Sequence, residues 1–276
     1  MADLIVSNIA WTNDEEPEVA KLLAQINIRG VEVAPTKIWQ DPTSISSKDI
    51  EDNLEFWQSN NLDLVAFQSM LFGRENLQIF NDQKTTQETF EFLSRFIVLA
   101  GKMGAGIMVF GSPKNRLVAG VDKRSGRIIA LDFFKNLGEI AEENNTIFCI
   151  EPNPTDYGCD FITTAEEGID FVTQINSPGL GLHLDIAGMT LSGDNISESI
   201  KNASGVLKHF HISEPFLGKV ESKTKVEHKF ASDALKEINY QGYVSIEMRP
   251  GANGENVSRV REAVGFAKIA YSSLLG

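Results

Sequence analysis

Short apolar, β-rich runs recur along the chain, and a longer stretch with helical spacing of its apolar residues follows each one. The runs fall at residues 3–11 (DLIVSNIAW), 29–35 (RGVEVAP), 62–70 (LDLVAFQSM) and 105–113 (AGIMVFGSP). Four more lie at 146–154 (TIFCIEPNP), 179–189 (GLGLHLDIAGM), 206–215 (VLKHFHISEP) and 242–250 (GYVSIEMRP). PEVAKLLAQIN, TQETFEFLSRFIVLAGKMG, GRIIALDFFKNLGEIAEENN and ASDALKEIN are among the amphipathic segments between them. Eight such units in 276 residues take about 34 residues each, the length of a regular strand–helix repeat. Right-handed crossovers and the lack of a spare helical segment predict an α/β chain folded as a single (β/α)8 TIM barrel domain over residues 1–276. A doubly wound open sheet is the competitor. It wants a glycine-rich phosphate turn after an early strand, and SNIAWTND has none.

Composition narrows the setting. The N-terminus MADLIVSNIAW lacks the basic start of a secretory signal, and no apolar run approaches membrane-spanning length. Cys149 and Cys159 show no metal or disulfide spacing, so a reduced, cytoplasmic environment is expected, with no membrane partner. The net charge of −13 works against a nucleic-acid partner, which needs a basic face to displace counterions.

Strand parity brings the chemistry together. Alternate side chains of a strand point to opposite faces, and in a barrel one face meets the helices while the other looks inward. In the fifth run Phe148 and Ile150 alternate with Cys149, Glu151 and Asn153; in the sixth Leu182, Leu184 and Ile186 alternate with His183 and Asp185. The seventh alternates Phe210 and Ile212 with His209, His211 and Ser213, and the eighth Val244, Ile246 and Met248 with Ser245, Glu247 and Arg249. Four consecutive strands thus aim ionisable groups inward near their C-terminal ends, where barrel enzymes hold their chemistry. Three buried carboxylates need a compensating charge, and a divalent cation supplies it. Glu151, Asp185, His211 and Glu247 are the expected ligands. An oxygen-rich set of this kind suits Mn²⁺, Co²⁺ or Mg²⁺, with Zn²⁺ also compatible.

At these residues the sequence resembles the xylose isomerase-like barrel superfamily, in its sugar phosphate isomerase/epimerase branch, a grouping that also holds AP endonuclease family 2 proteins. IEPNP, LHLDIAGM, HFHISEP and HKFASDALKEINYQGYVSIEMRP carry the resemblance. It implies the same four ligands, a small-molecule sugar or sugar phosphate as substrate, and proton transfer at a carbon next to a carbonyl through an enediolate. Two positions depart. Gly188 stands where many members carry a histidine, and the loop NPTDYGCDF lacks the glutamate of the ketose 3-epimerases, so the resemblance implies the reaction class and not the sugar.

Glu151 and Glu247 are the expected catalytic pair, one removing and the other returning the proton. His183, Arg249, Glu214, Asn153, Gln68 and His228 are expected substrate contacts, with Asn8 and Glu32 completing the pocket wall. His209, one step deeper than His211, is expected to support the site or fill the core. Arg116 with Lys219, Lys223 and Lys225 is a candidate anion site, although flexible lysines are more often plain surface charge. Cys149 is expected to fill the core. A dehydratase of a cyclic polyol acid on the same barrel is the alternative chemistry. An AP-endonuclease-like repair protein would need more histidines than the four present. Barrels of this type often associate, so a homo-oligomer is among the expected forms.

Overall fold

The structure, a computed structural model, describes residues 1–118 and 120–275. Eight parallel strands run in chain order around a closed barrel: β1 (Asp3–Ser7), β2 (Gly30–Val33), β3 (Asp63–Phe67), β4 (Ile107–Phe110), β5 (Ile147–Ile150), β6 (Leu180–Asp185), β7 (Leu207–Ser213) and β8 (Tyr243–Glu247). The ring closes by pairing β1 with β8, Asp3 opposite Tyr243 and Val6 opposite Ile246. The expected architecture is therefore the observed one. Each strand is shorter than its apolar run, because the C-terminal part of the run leaves the sheet to form the loops over the barrel mouth.

Helices fill the crossovers, and their ends are legible in local chemistry. Ser46 caps Ser47–Ser59 by accepting from Asp49 N, while the Asp49 carboxylate accepts from Ser46 N in return. Asp82 caps Gln83–Met103, Thr164 caps Ala165–Ile175 and Asn195 caps Ile196–Asn202, each by accepting from the backbone N–H three residues on. Gly104 ends Gln83–Met103 at φ +76°, a left-handed conformation that costs glycine nothing. The main core lies between barrel and helices; there Phe110, Phe134, Phe148 and Phe171 stack tilted or edge-on. Inside the barrel Ala66, Ile107, Val109 and Cys149 form a separate small apolar plug, which confirms Cys149 as core filler. Above this plug the interior turns polar.

Two register shifts set that polar layer. One lies between β2 and β3, so that Glu32 pairs with Ala66 after Val31 has paired with Leu64. The other lies between β6 and β7, where Leu182 pairs with Leu207 but His183 with His209. Each inserts one residue on one strand only, a β-bulge. From there the register runs Asp185 to His211, His211 to Ser245 and Ser213 to Glu247, which puts the inward groups of three neighbouring strands at nearly one height.

Candidate active site

Asp185, His211 and Glu247 come together at the C-terminal end of the barrel, with one ligand-type atom from each within 4.8 Å of the others. Asp185 and Glu247 are the last residues of β6 and β8, and His211 lies within β7. Asp185 is held by a hydrogen bond from Gly188 N at the start of the helix Ile186–Ser192 and by another from Ser213 Oγ. His211 Nδ1 is 3.4 Å from Glu247 Oε2. It has no hydrogen bond of its own, so the ring offers a buried nitrogen to the two carboxylates.

Glu151, the fourth expected ligand, follows β5 and stands outside this group of three. Its carboxylate lies over Gly111 at the end of β4, where a Cβ would collide with Oε2. The glycine makes that close approach available. Burial raises the Glu151 carboxyl to about 8, and the negative charges of Asp185 and Glu247 add to the effect. Asp185 is raised to about 6, by burial first and then by Glu247. Carboxylates that push one another up in a buried site mark uncompensated negative charge. Together with the open His211 nitrogen, this donor chemistry fits a divalent cation.

Below this level lies a second layer. Glu32 is wholly buried and accepts from His209 Nε2 (3.1 Å), His211 Nε2 (3.0 Å), Ser245 Oγ (2.7 Å) and, at 3.4 Å, Gln68 Nε2. Burial opposes its charge, but the two imidazoles more than offset this and keep it ionised. His183 packs edge-on against His211 with ring centroids 4.1 Å apart, and neither of its ring nitrogens has a partner.

A cavity of about 380 Å³ opens above the cluster. Glu151, Glu247, Gln68, Asn153, Tyr157 and Phe216 are among its lining residues. Gln68 and Asn153, expected as substrate contacts, line this cavity. Four other expected contacts do not line it. His183 is buried beneath, and Arg249 is exposed beyond β8. His228 is engaged by Glu214 Oε1 at 2.9 Å and by Tyr271 OH at 3.0 Å, while Thr224 Oγ1 donates to Glu214 Oε2. Glu214 and His228 therefore fasten the β7 loop to the outer helices. Asn8 ties loops together by accepting from Ala34 N. Arg116 is fully buried and donates to the Glu151 carbonyl, so it is not part of a surface anion site, and Lys219 pairs with Glu221 and Glu262. A second cavity of about 470 Å³ at the opposite end includes Arg29, Asp63 and Lys268 in its lining and holds none of the inward histidines or glutamates.

Sequence reasoning missed Tyr157 and Phe216. Tyr157 OH accepts from Phe216 N (3.1 Å), and the two rings meet edge to face at 5.6 Å. Phe216 and Leu217 both take positive φ, as do Ser69 and Ser112 on the other loops around the cavity. Non-glycine residues in that region are strained, and such strain gathers at functional sites. Only the loop composition EPFLG hinted at a turn there.

The sequence pattern of the xylose isomerase-like TIM barrel family matches residues 20–269. The chain belongs to that family. Among curated proteins this xylose isomerase-like barrel is similar to a D-psicose 3-epimerase of Enterocloster bolteae, 30% identical over 146 residues, which are 52% of this chain and 48% of that protein. The chain spans about half the length of the curated relatives it matches first. Among solved structures it superposes on a D-psicose 3-epimerase determined in the presence of D-fructose (TM-score 0.80, 17% identity, 99% of this chain and 100% of that one). It also superposes on the IOLI protein with a bound zinc atom (TM-score 0.76, 18% identity, 99% of each chain). These two structural likenesses speak for the fold of this family member.

Proposed function

We propose that this family member is a divalent-cation-dependent sugar isomerase or epimerase that moves a proton at a carbon next to a carbonyl, through an enediolate. One observation carries the reading: Glu151 and Glu247 line one cavity directly beside the Asp185–His211–Glu247 cluster. The epimerase names of the curated relatives support it. Asp185, His211 and Glu247 would hold the cation, with Glu151 as the further carboxylate at its side; when bound, it would lower the cost of negative charge building on the substrate carbonyl. Glu151 and Glu247 line the same cavity and are placed to give and accept the proton. Gln68 and Asn153 offer amide groups to sugar hydroxyls, and the Tyr157–Phe216 pair offers an aromatic wall. Among the described residues lining the cavity there is no Lys or Arg, which favours an unphosphorylated sugar.

Incubation of ketoses and aldoses with the chain and Mn²⁺ in D₂O tests this. The expected result is solvent deuterium at the carbon next to the carbonyl, together with isomer or epimer formation. Glu151→Gln and Glu247→Gln should each lower turnover by at least about 100-fold. Loss of water from the substrate would point to dehydratase chemistry, and full activity in both variants would end the proton-transfer assignment.

A further inference from the structure

His211 has two ring nitrogens with different surroundings. Nδ1 faces Glu247 at 3.4 Å and has no hydrogen bond, whereas Nε2 faces both oxygens of Glu32, at 3.0 and 3.2 Å. A neutral imidazole carries one N–H, and the partner of one nitrogen decides what the other can offer. Glu32 offers Nε2 a carboxylate that already takes donors from Ser245 and Gln68, so it stands to Nε2 as an acceptor. Nε2 therefore carries a proton, and Nδ1 is the nitrogen directed at the cluster of Asp185 and Glu247.

We propose that Glu32 is the positioning residue of the cation site: by accepting the His211 Nε2 proton it holds the ring in the tautomer and orientation in which Nδ1 can ligate. The inference rests on the cation reading of that cluster. It also explains why a carboxylate is tolerated at the barrel axis. The two imidazoles, Ser245 and Gln68 supply four donors, about the number that a carboxylate's lone pairs accommodate. The register shift at Val31/Glu32 sets where the carboxylate sits; Ser245 adds one donor to Oε2, His209 meets Oε1, and His211 Nε2 lies between the two oxygens. The rival use of this layer is a second cation held by His183, His209 and His211, whose ligand atoms also lie within 4.8 Å of one another. That use would take one of the two His211 nitrogens, drawing it either from Glu32 or from the Asp185–Glu247 cluster that they already face.

Two measurements test the assignment. Calorimetric titration with Mn²⁺ should show one ion per wild-type chain, and Glu32→Gln should weaken its affinity about 10- to 100-fold, the usual effect of removing a carboxylate behind a ligating histidine. Ser245→Ala, which leaves the carboxylate in place, should change it less than about threefold. Independently of any variant, ¹⁵N-histidine NMR of the Zn²⁺-loaded wild type should show His211 protonated at Nε2 and ligating through Nδ1. Mn²⁺ affinity within twofold of wild type in folded Glu32→Gln, an unprotonated His211 Nε2, or two ions per chain would each overturn the role of Glu32. If Glu32→Gln does not fold, the nitrogen shifts of the wild type decide. A wild type that binds no Mn²⁺ overturns the cation reading itself, an outcome distinct from equal binding by wild type and variant.

Discussion

At residue scale, Gly111 matters for what it leaves free. The Glu151 carboxylate lies where a Cβ on residue 111 would be, so the position of this acid depends on an absent side chain on the neighbouring strand's loop. Gly111→Ala should push the carboxylate aside without touching Asp185, His211 or Glu247. We expect turnover to fall about 10- to 100-fold, the scale set by misplacing a catalytic group by about 1 Å. Mn²⁺ affinity should change far less. Steady-state kinetics beside a metal titration checks this, and unchanged turnover would show that Glu151 is not held by that gap. The parity of β5 made Glu151 visible in the sequence as an inward acid. Its lean toward β4 was not visible, because it depends on a neighbour 40 residues away in the chain.

At element scale, Glu15 joins the two ends of the barrel wall. It sits in the turn after β1 and accepts from Gly254 N in the loop after β8 and from Asn256 N and Asn256 Nδ2 at the start of the helix Asn256–Ala270, besides Thr12 N and Thr12 Oγ1. Burial alone would raise its carboxyl, but the bonds from Asn256 and Thr12 prevail and bring it to about 2. A carboxyl lowered on folding contributes stability that is complete above its ordinary value of 4.5 and fades as the pH falls toward about 2. Glu15→Gln should therefore lower stability by about 1–3 kcal/mol at pH 7, since several buried donors lose their charged acceptor. The gap in Tm between wild type and variant should close as the pH falls from 5 to 2. A gap independent of pH would show that the charge on Glu15 contributes nothing. The strands and their helix caps were legible from periodicity and from Ser46, Asp82, Thr164 and Asn195. The Glu15 clamp was not, because nothing local marks a glutamate that will meet a loop 240 residues later.

At the scale of the whole molecule, the −13 charge and the inward carboxylates pull in one direction. A cation bound by the folded chain alone stabilises it by mass action, about 2.7 kcal/mol at 100 times the dissociation constant. For a chain of this size that corresponds to a rise in Tm on the order of 5 °C or more. Mn²⁺ should produce it, a chelator should reverse it, and Asp185→Asn should abolish it in a thermal melt. Equal shifts in wild type and Asp185→Asn would place the ion elsewhere. Among the described residues no helix is long and apolar enough to cross a membrane.

What the sequence alone determined is what repeats locally: eight strand–helix units, their caps, and the inward parity of Asp185, His211 and Glu247. Alternation is a property of each strand by itself, so these groups had to share a face once the strands closed. Tertiary structure decided which of the inward groups meet. Two bulges set the heights, and barrel closure brought Glu32 of β2 to His209 and His211 of β7 and to Ser245 of β8, up to 213 residues away. The two neighbouring histidines of LKHFHISEP share one buried carboxylate, yet only His211 also reaches the cluster above. Their different partners come from the rest of the ring, which no strand can specify alone.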